Sequence, residues 1–167
     1  YVLIVPKPCG NLTLIDVKNA YPTCDLKVSP AKVNIGDEIT MDMSGSKCAT
    51  KMEIKVYHPK GTLIAKQSLT SGNPVWKTKF QKPGDYFIKA EAFNVDGVAS
   101  SNNCEAKVYV NFPPECDLKV EPQKAYVGDI VKMDASGSKD KDGKVVKAEF
   151  TLSGAESEKK TVTGDPL

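Results

Sequence analysis

Residues 24–47, CDLKVSPAKVNIGDEITMDMSGSK, recur at residues 116–139 as CDLKVEPQKAYVGDIVKMDASGSK, without a gap, 92 residues apart and identical at 15 of 24 positions. A period of about 90 exceeds the roughly 20 to 50 residues of solenoid repeats and suits a small domain that closes its own core. The chain therefore reads as a tandem array of one module, an organisation that presents, spaces or binds rather than catalyses. The period divides the 167 residues into a complete copy over 23–114, a truncated copy over 115–167, and a leading segment over 1–22 that belongs to something else.

Charge excludes one class of partner. All 23 cationic residues are Lys, set against 21 carboxylates spread evenly along the chain, for a net charge of +2. Arg is the side chain that forks onto phosphates and guanine edges, so its absence, with no basic cluster, argues against nucleic-acid binding. No apolar stretch reaches the ~18 to 20 residues that span a bilayer, and the start YVLIVPKPCG lacks a basic n-region. Five cysteines, Cys9, Cys24, Cys48, Cys104 and Cys116, stand singly at element ends without a CxxC pair, and the chain has one His, His58. That pattern favours disulfides over zinc and implies export to a periplasm, a cell surface or the medium.

Strand-like runs follow one another about every ten residues between turn signals, with no helix-period segment. In the complete copy they fall at 25–28, 38–43, 52–58, 63–68, 75–80, 84–93 and 104–111. Alternation places Ile39, Met41 and Met43, then Met52, Ile54 and Val56, then Tyr86, Ile88, Ala90 and Ala92 on inward faces. Pro-then-Gly turns at 58–61 and 82–85 and the Gly36 turn mark the corners. Seven strands in about ninety residues predict an antiparallel β-sandwich of immunoglobulin type. Between the copies, Asn111-Phe112-Pro113-Pro114-Glu115 predicts a short, semi-rigid joint and an extended array.

Residues 127–154 of the second copy, VGDIVKMDASGSKDKDGKVVKAEFTLSG, and residues 80–101 of the first, FQKPGDYFIKAEAFNVDGVASS, carry a resemblance. Gly128, Asp134, Ser136, Gly137, Ser138, Asp140, Asp142 and Gly143, with Pro83, Gly84 and Tyr86, resemble the pattern of polycystic-kidney-disease (PKD) domains. The similarity covers most of residues 24–154. The W-x-F-G-D-G signature of that family is replaced here by Phe150-Thr151-Leu152-Ser153-Gly154 and by Lys55-Val56-Tyr57-His58. The resemblance implies an all-β protein of tandem immunoglobulin-like, PKD-like antiparallel β-sandwiches, used outside the cell as spacers or for protein and carbohydrate contacts, without catalysis.

Several residues invite a sharper chemistry. Asp140-Lys141-Asp142-Gly143 resembles the opening of a calcium loop, although two carboxylates without a distal Glu also make a plain Asx turn, and the first copy has Cys48-Ala49-Thr50-Lys51 at that place. No other cofactor is indicated. The repeated Ser-Gly-Ser at 44–46 and 136–138 lacks a base to activate it and reads as turn chemistry, with Asp42 and Asp134 accepting backbone N–H bonds. Trp76, with Tyr57, Tyr86 and Phe87, is the candidate sugar-stacking platform. Asn11-Leu12-Thr13 is a glycosylation sequon.

For the cysteines, sandwich topology brings Cys24, Cys48 and Cys104 to one pole, which makes one bridge and one remainder. Cys24 with Cys104 is favoured because Cys24 recurs as Cys116 whereas Cys48 does not recur, and Cys48 with Cys104 competes. Residues 1–22 match the final hairpin of the complete copy and read as the last hairpin of a preceding or exchanged module. Exchange between chains would let Cys9 bridge Cys116 of a neighbour. The sequence thus predicts a non-enzymatic structural or adhesive module with protein partners or self-association. Its alternatives are a carbohydrate-binding accessory module of a secreted hydrolase and a filament subunit assembled by strand exchange.

Overall fold

The computed structural model describes residues 4–6, 12–14, 21–154 and 157–163, the first two stretches as backbone only. It is all-β, with no helix among the described residues, and divides into two compact units, residues 1–111 and 112–167. Unit 1 opens with a short antiparallel pair, β1 (Ile4–Pro6) and β2 (Leu12–Leu14).

Eight further strands of unit 1 form two sheets. They are β3 (Lys27–Ser29), β4 (Lys32–Val33), β5 (Glu38–Asp42), β6 (Lys51–Tyr57), β7 (Leu63–Thr70), β8 (Val75–Lys79), β9 (Gly84–Phe93) and β10 (Cys104–Val110). One sheet runs β3-β5-β8 and the other β4-β10-β9-β6-β7. Every pairing is antiparallel except β4 with β10. This is the two-sheet layout of an immunoglobulin-like sandwich, in which the first strand is split between the sheets. The sequence reading expected seven strands here and missed β4. Two residues are too few to show alternation, and Pro30 interrupts the run just before them.

The core is what the alternation dictates. Ile39 and Met41 from one sheet meet Met52, Ile54, Val56, Ile88, Ala92, Val108 and Val110 from the other, all essentially closed to solvent. At about 25 cal/mol per Å² of apolar surface, each Val, Ile or Met among them stabilises by roughly 1.5 to 3 kcal/mol relative to exposure. The opposite face of the larger sheet is polar and laced with ion pairs, including Glu53 between Lys55 (3.2 Å) and Lys66 (2.9 Å), and Lys89 with Glu105 (2.8 Å). The Lys89–Glu105 pair is exposed and mainly keeps the face solvated, whereas the Glu53 side chain is largely covered by its two lysines and their strands.

Tyr86 ties the lower corner together. Its ring stacks between Phe80 (centroids 3.8 Å apart) and His58 (4.1 Å), while its hydroxyl donates to the Lys82 carbonyl at 2.9 Å. This is the tyrosine corner of immunoglobulin-like sandwiches, a phenol at the start of the penultimate strand bonding back to the preceding turn.

Unit 2 contains β11 (Lys119–Glu121), β12 (Lys132–Asp134), β13 (Lys147–Leu152) and β14 (Glu158–Thr163), paired as β11-β12 and β13-β14. Its first half repeats the first strand pair of unit 1 and the turns beside it. The β3-β5 register Lys27↔Asp42, Val28↔Met41, Ser29↔Thr40 returns as Lys119↔Asp134, Val120↔Met133, Glu121↔Lys132. The bridge Thr23↔Lys47 returns as Glu115↔Lys139. Asn34 N–H donates to Asp37 as Tyr126 N–H donates to Asp129, around Gly36 and Gly128, whose φ of 83° and 96° only glycine adopts without strain.

Candidate functional site

The two copies of the Cys-to-SGS segment build the same small structure. Ser46 Oγ accepts the Asp25 N–H (3.0 Å), and Ser138 Oγ accepts the Asp117 N–H (3.0 Å). Ser44 N–H donates to Asp42 and Ser136 N–H to Asp134. Those bonds hold both carboxyls below their ordinary range, chiefly through the Ser44 backbone N–H at Asp42 and the Ser136 hydroxyl at Asp134. The intervening Gly45 and Gly137 let Asp25 and Asp117 sit where a Cβ would be. All four serines thus serve the turns. His58 is committed elsewhere, its Nδ1 donating to the Asp85 carbonyl at 2.9 Å.

At the pole above this turn the copies differ. Cys24 is joined to Cys104 at the start of β10, with Cα atoms 6.0 Å apart, and both are buried. Asn102 brackets Cys24 as well, accepting its N–H (2.9 Å) and donating to its carbonyl (2.7 Å). The competing bridge from Cys48 to Cys104 is not formed. Cys48, expected as the remainder, is itself disulfide-bonded. Cys116, the twin of Cys24, is a free thiol exposed to solvent.

Beside Cys116 lies a groove of about 240 Å³ whose wall includes Leu118, Met133, Ala135, Ala148 and Phe150. In unit 1 the matching positions are covered. Ile39 and Met41 are closed to solvent, whereas Val131 and Met133 are 41% and 37% exposed. The cover in unit 1 is β9 and β10, whose inward residues Tyr86, Ile88, Ala90, Val108 and Val110 fill the space.

The other sequence-derived sites are dispersed. Asp140 and Asp142 form an Asx turn, with Asp142 N–H donating to Asp140 Oδ1 at 3.2 Å, and Asp142 also accepts the Phe112 N–H at 3.5 Å. Among the described residues no three His, Cys, Asp or Glu gather into a metal cluster. The expected aromatic platform is not assembled. Trp76 lies half-buried against the core on β8, Tyr86 is inside, and Tyr57 and Phe87 face each other across β6 and β9 of the other sheet. Lys60 and Lys107 lie over the Phe87 ring. Cys9 and the first residue of the sequon, Asn11, lie outside the described residues. Among the described residues no helix is long and apolar enough to cross a membrane.

Sequence reasoning missed Asn102, which sits in a polar loop and acts on a backbone 78 residues away. The only signal was the Ser-Ser-Asn-Asn run before Cys104.

No protein-family model matches the chain, and no curated protein does. Among solved structures it is similar to a carbohydrate-binding module of the β-sandwich superfamily, with 15% identity over 68% of this chain and a TM-score of 0.41. The chain spans about half of that structure, 52%. It is also similar to a CARDB domain from Pyrococcus furiosus solved with di-metal ions, with 15% identity over 54% of this chain and 94% of that one and a TM-score of 0.30.

Proposed function

We propose that this chain is a non-enzymatic structural segment of an exported protein, built from tandem PKD-like immunoglobulin-like modules that space or join other parts. Residues 23–114 form one complete module, residues 115–167 the front of the next, and residues 1–22 the closing hairpin of another. The observation that carries this reading is the repeated segment at residues 24–47 and 116–139, with the same register, bridges and side-chain bonds in both copies. The residues that the two copies share are those that hold turns and strands. The buried Cys24–Cys104 bridge supports export, because such bonds persist in oxidising compartments.

Single-molecule stretching through the two ends tests it. With reductant present, unit 1 is expected to yield in one abrupt step that releases about 28 nm at ~3.5 Å per residue, whereas without it the segment between Cys24 and Cys104, 80 apart in sequence, stays locked. A chain that extends smoothly, without a step for unit 1, would remove the spacer reading. A sugar retained by the folded chain on a glycan array would replace it with a binding one.

A further inference from the structure

We propose that β7 of unit 1 pairs with β7 of a second copy of this chain, joining two chains side by side through one continuous sheet. The strand belongs to a closed sandwich, so its edge is set by the fold of unit 1 and by no neighbouring segment. β7 ends the five-stranded sheet, and among the described residues it is paired with β6 alone. An unpaired edge is a template for another strand, and proteins guard such edges by shortness, Pro or exposed Lys. The other edges of unit 1 carry these guards. β3 and β4 are three and two residues long on either side of Pro30, and β8 follows Pro74 and carries the exposed Lys77 and Lys79. β7 is eight residues long without Pro or Gly, and its one charge, Lys66, is held by Glu53 of its own sheet at 2.9 Å.

The side chains select the register. Ala65, Gln67 and Leu69 turn to the core side of the sheet, and Lys66 and Ser68 to the outer side. A two-fold axis through Lys66 would set like charges opposite each other, and one nearer the start of the strand meets the irregularity at Val56/Tyr57. An axis through Gln67 places Ala65 of each chain against Leu69 of the other, apolar on apolar, and Lys66 against Ser68. Ser68 is the β6 partner of Glu53, so each Lys66 also comes beside the carboxylate of the opposite chain, a complementary contact on both sides of the axis. The added strand lies over the groove of about 400 Å³ between β7 and β8, where Gln67, Leu69 and Val75 surround the half-buried Trp76.

Sedimentation equilibrium of the full chain tests this, with Cys116→Ser present throughout so that the exposed thiol joins no two chains. Reversible association to twice the 18.1 kDa monomer mass is expected, with a dissociation constant below about 100 µM. Ser68→Lys, which brings a second cation against Lys66 of the other chain, is expected to weaken the dimer at least tenfold, and Ser68→Glu to strengthen it severalfold. Within one chain both substitutions lie beside Glu53 and act in the opposite sense, so a change in folding cannot imitate that order. Gln67→Cys, on the axis, is expected to cross-link to the same position of the second chain under mild oxidation at least tenfold faster than Asn73→Cys, as read by peptide mapping. A chain still monomeric at 100 µM would overturn the proposal and leave the edge to a strand from a different protein. A dimer that the two Ser68 variants leave unchanged or shift in the same direction, or equal cross-linking at positions 67 and 73, would overturn it as well.

Discussion

Tyr86 joins core and turn in one side chain, since its ring fills the core between Phe80 and His58 and its hydroxyl fixes the turn before β9. Tyr86→Phe keeps the ring and removes the bond to Lys82, so it is expected to lower stability at neutral pH by about 1 kcal/mol in chemical denaturation. Burial pushes the Tyr86 phenol above its ordinary value. A raised folded-state value means that the stabilisation is complete below the unfolded phenol value near 10 and is lost as pH rises through the folded one. Alkaline unfolding is therefore expected to be shallower in Tyr86→Phe than in the native chain, and identical alkaline limbs would show that the phenol titrates alike in the folded and unfolded chain. At this scale the sequence was half legible. Alternation with Ile88, Ala90 and Ala92 assigns Tyr86 to the inward face, and Pro83-Gly84 places it after a turn. The stack with His58 was not legible, because it depends on two strands whose order in the sheet no local pattern reveals.

Strands with strict alternation were the easiest elements to read. The bounds expected for β9, 84–93, coincide with the observed strand, and β6 differs by one residue at each end. Where a strand is short or its role depends on a distant partner, the pattern thins, as at β4, which exists only because β10 offers it a parallel edge. The Cys24–Cys104 bond adds to these pairings a constraint that spans almost the whole sandwich. Closing a loop between residues 80 apart reduces the freedom of the unfolded chain, worth about 4 kcal/mol on the chain-entropy model. Cys104→Ser is accordingly expected to shift the denaturation midpoint of unit 1 down by that order while leaving the β9-β10 ladder, and hence the far-ultraviolet spectrum, unchanged below the transition. A loss below 1 kcal/mol would mean that the unfolded chain already holds those ends together. The pairing itself was only partly legible. Topology brings three cysteines to one pole, but choosing among them required the repeat, and the repeat says nothing about Cys48, which is bonded as well.

For the whole molecule, one sequence segment exists in two states of completion. In unit 1 the hairpin at residues 24–47 shares a closed core with β6, β9 and β10. In unit 2 its copy keeps the register of the β3-β5 pair and the turn bonds but, among the described residues, has no strand in the place of β8, and among the described residues only Ala135 is buried, while Tyr126, Val127 and Ile130 stand 88%, 109% and 91% exposed. Hydrogen bonds without apolar cover contribute only about 1 kcal/mol each, and isolated two-stranded pairs are marginal in water. The two copies should therefore separate in hydrogen exchange despite their shared sequence. Amides of β5, β6 and β9 are expected to exchange only on global unfolding of unit 1, with those of β11 and β12 faster by at least a hundredfold. The matched pairs Met41 with Met133 and Thr40 with Lys132 make the comparison internal to one sample: they share the register against β3 and β11, and differ in that β5 is also bonded to β8 whereas, among the described residues, β12 is bonded to β11 alone. Equal protection would show that the hairpin is held by its own turn bonds, through Ser46 and Ser138, rather than by the strands above it. Faster exchange in unit 2 alone would locate the protection of this segment in the strands that hold it in unit 1, β8 beside β5 and β9 and β10 across the core.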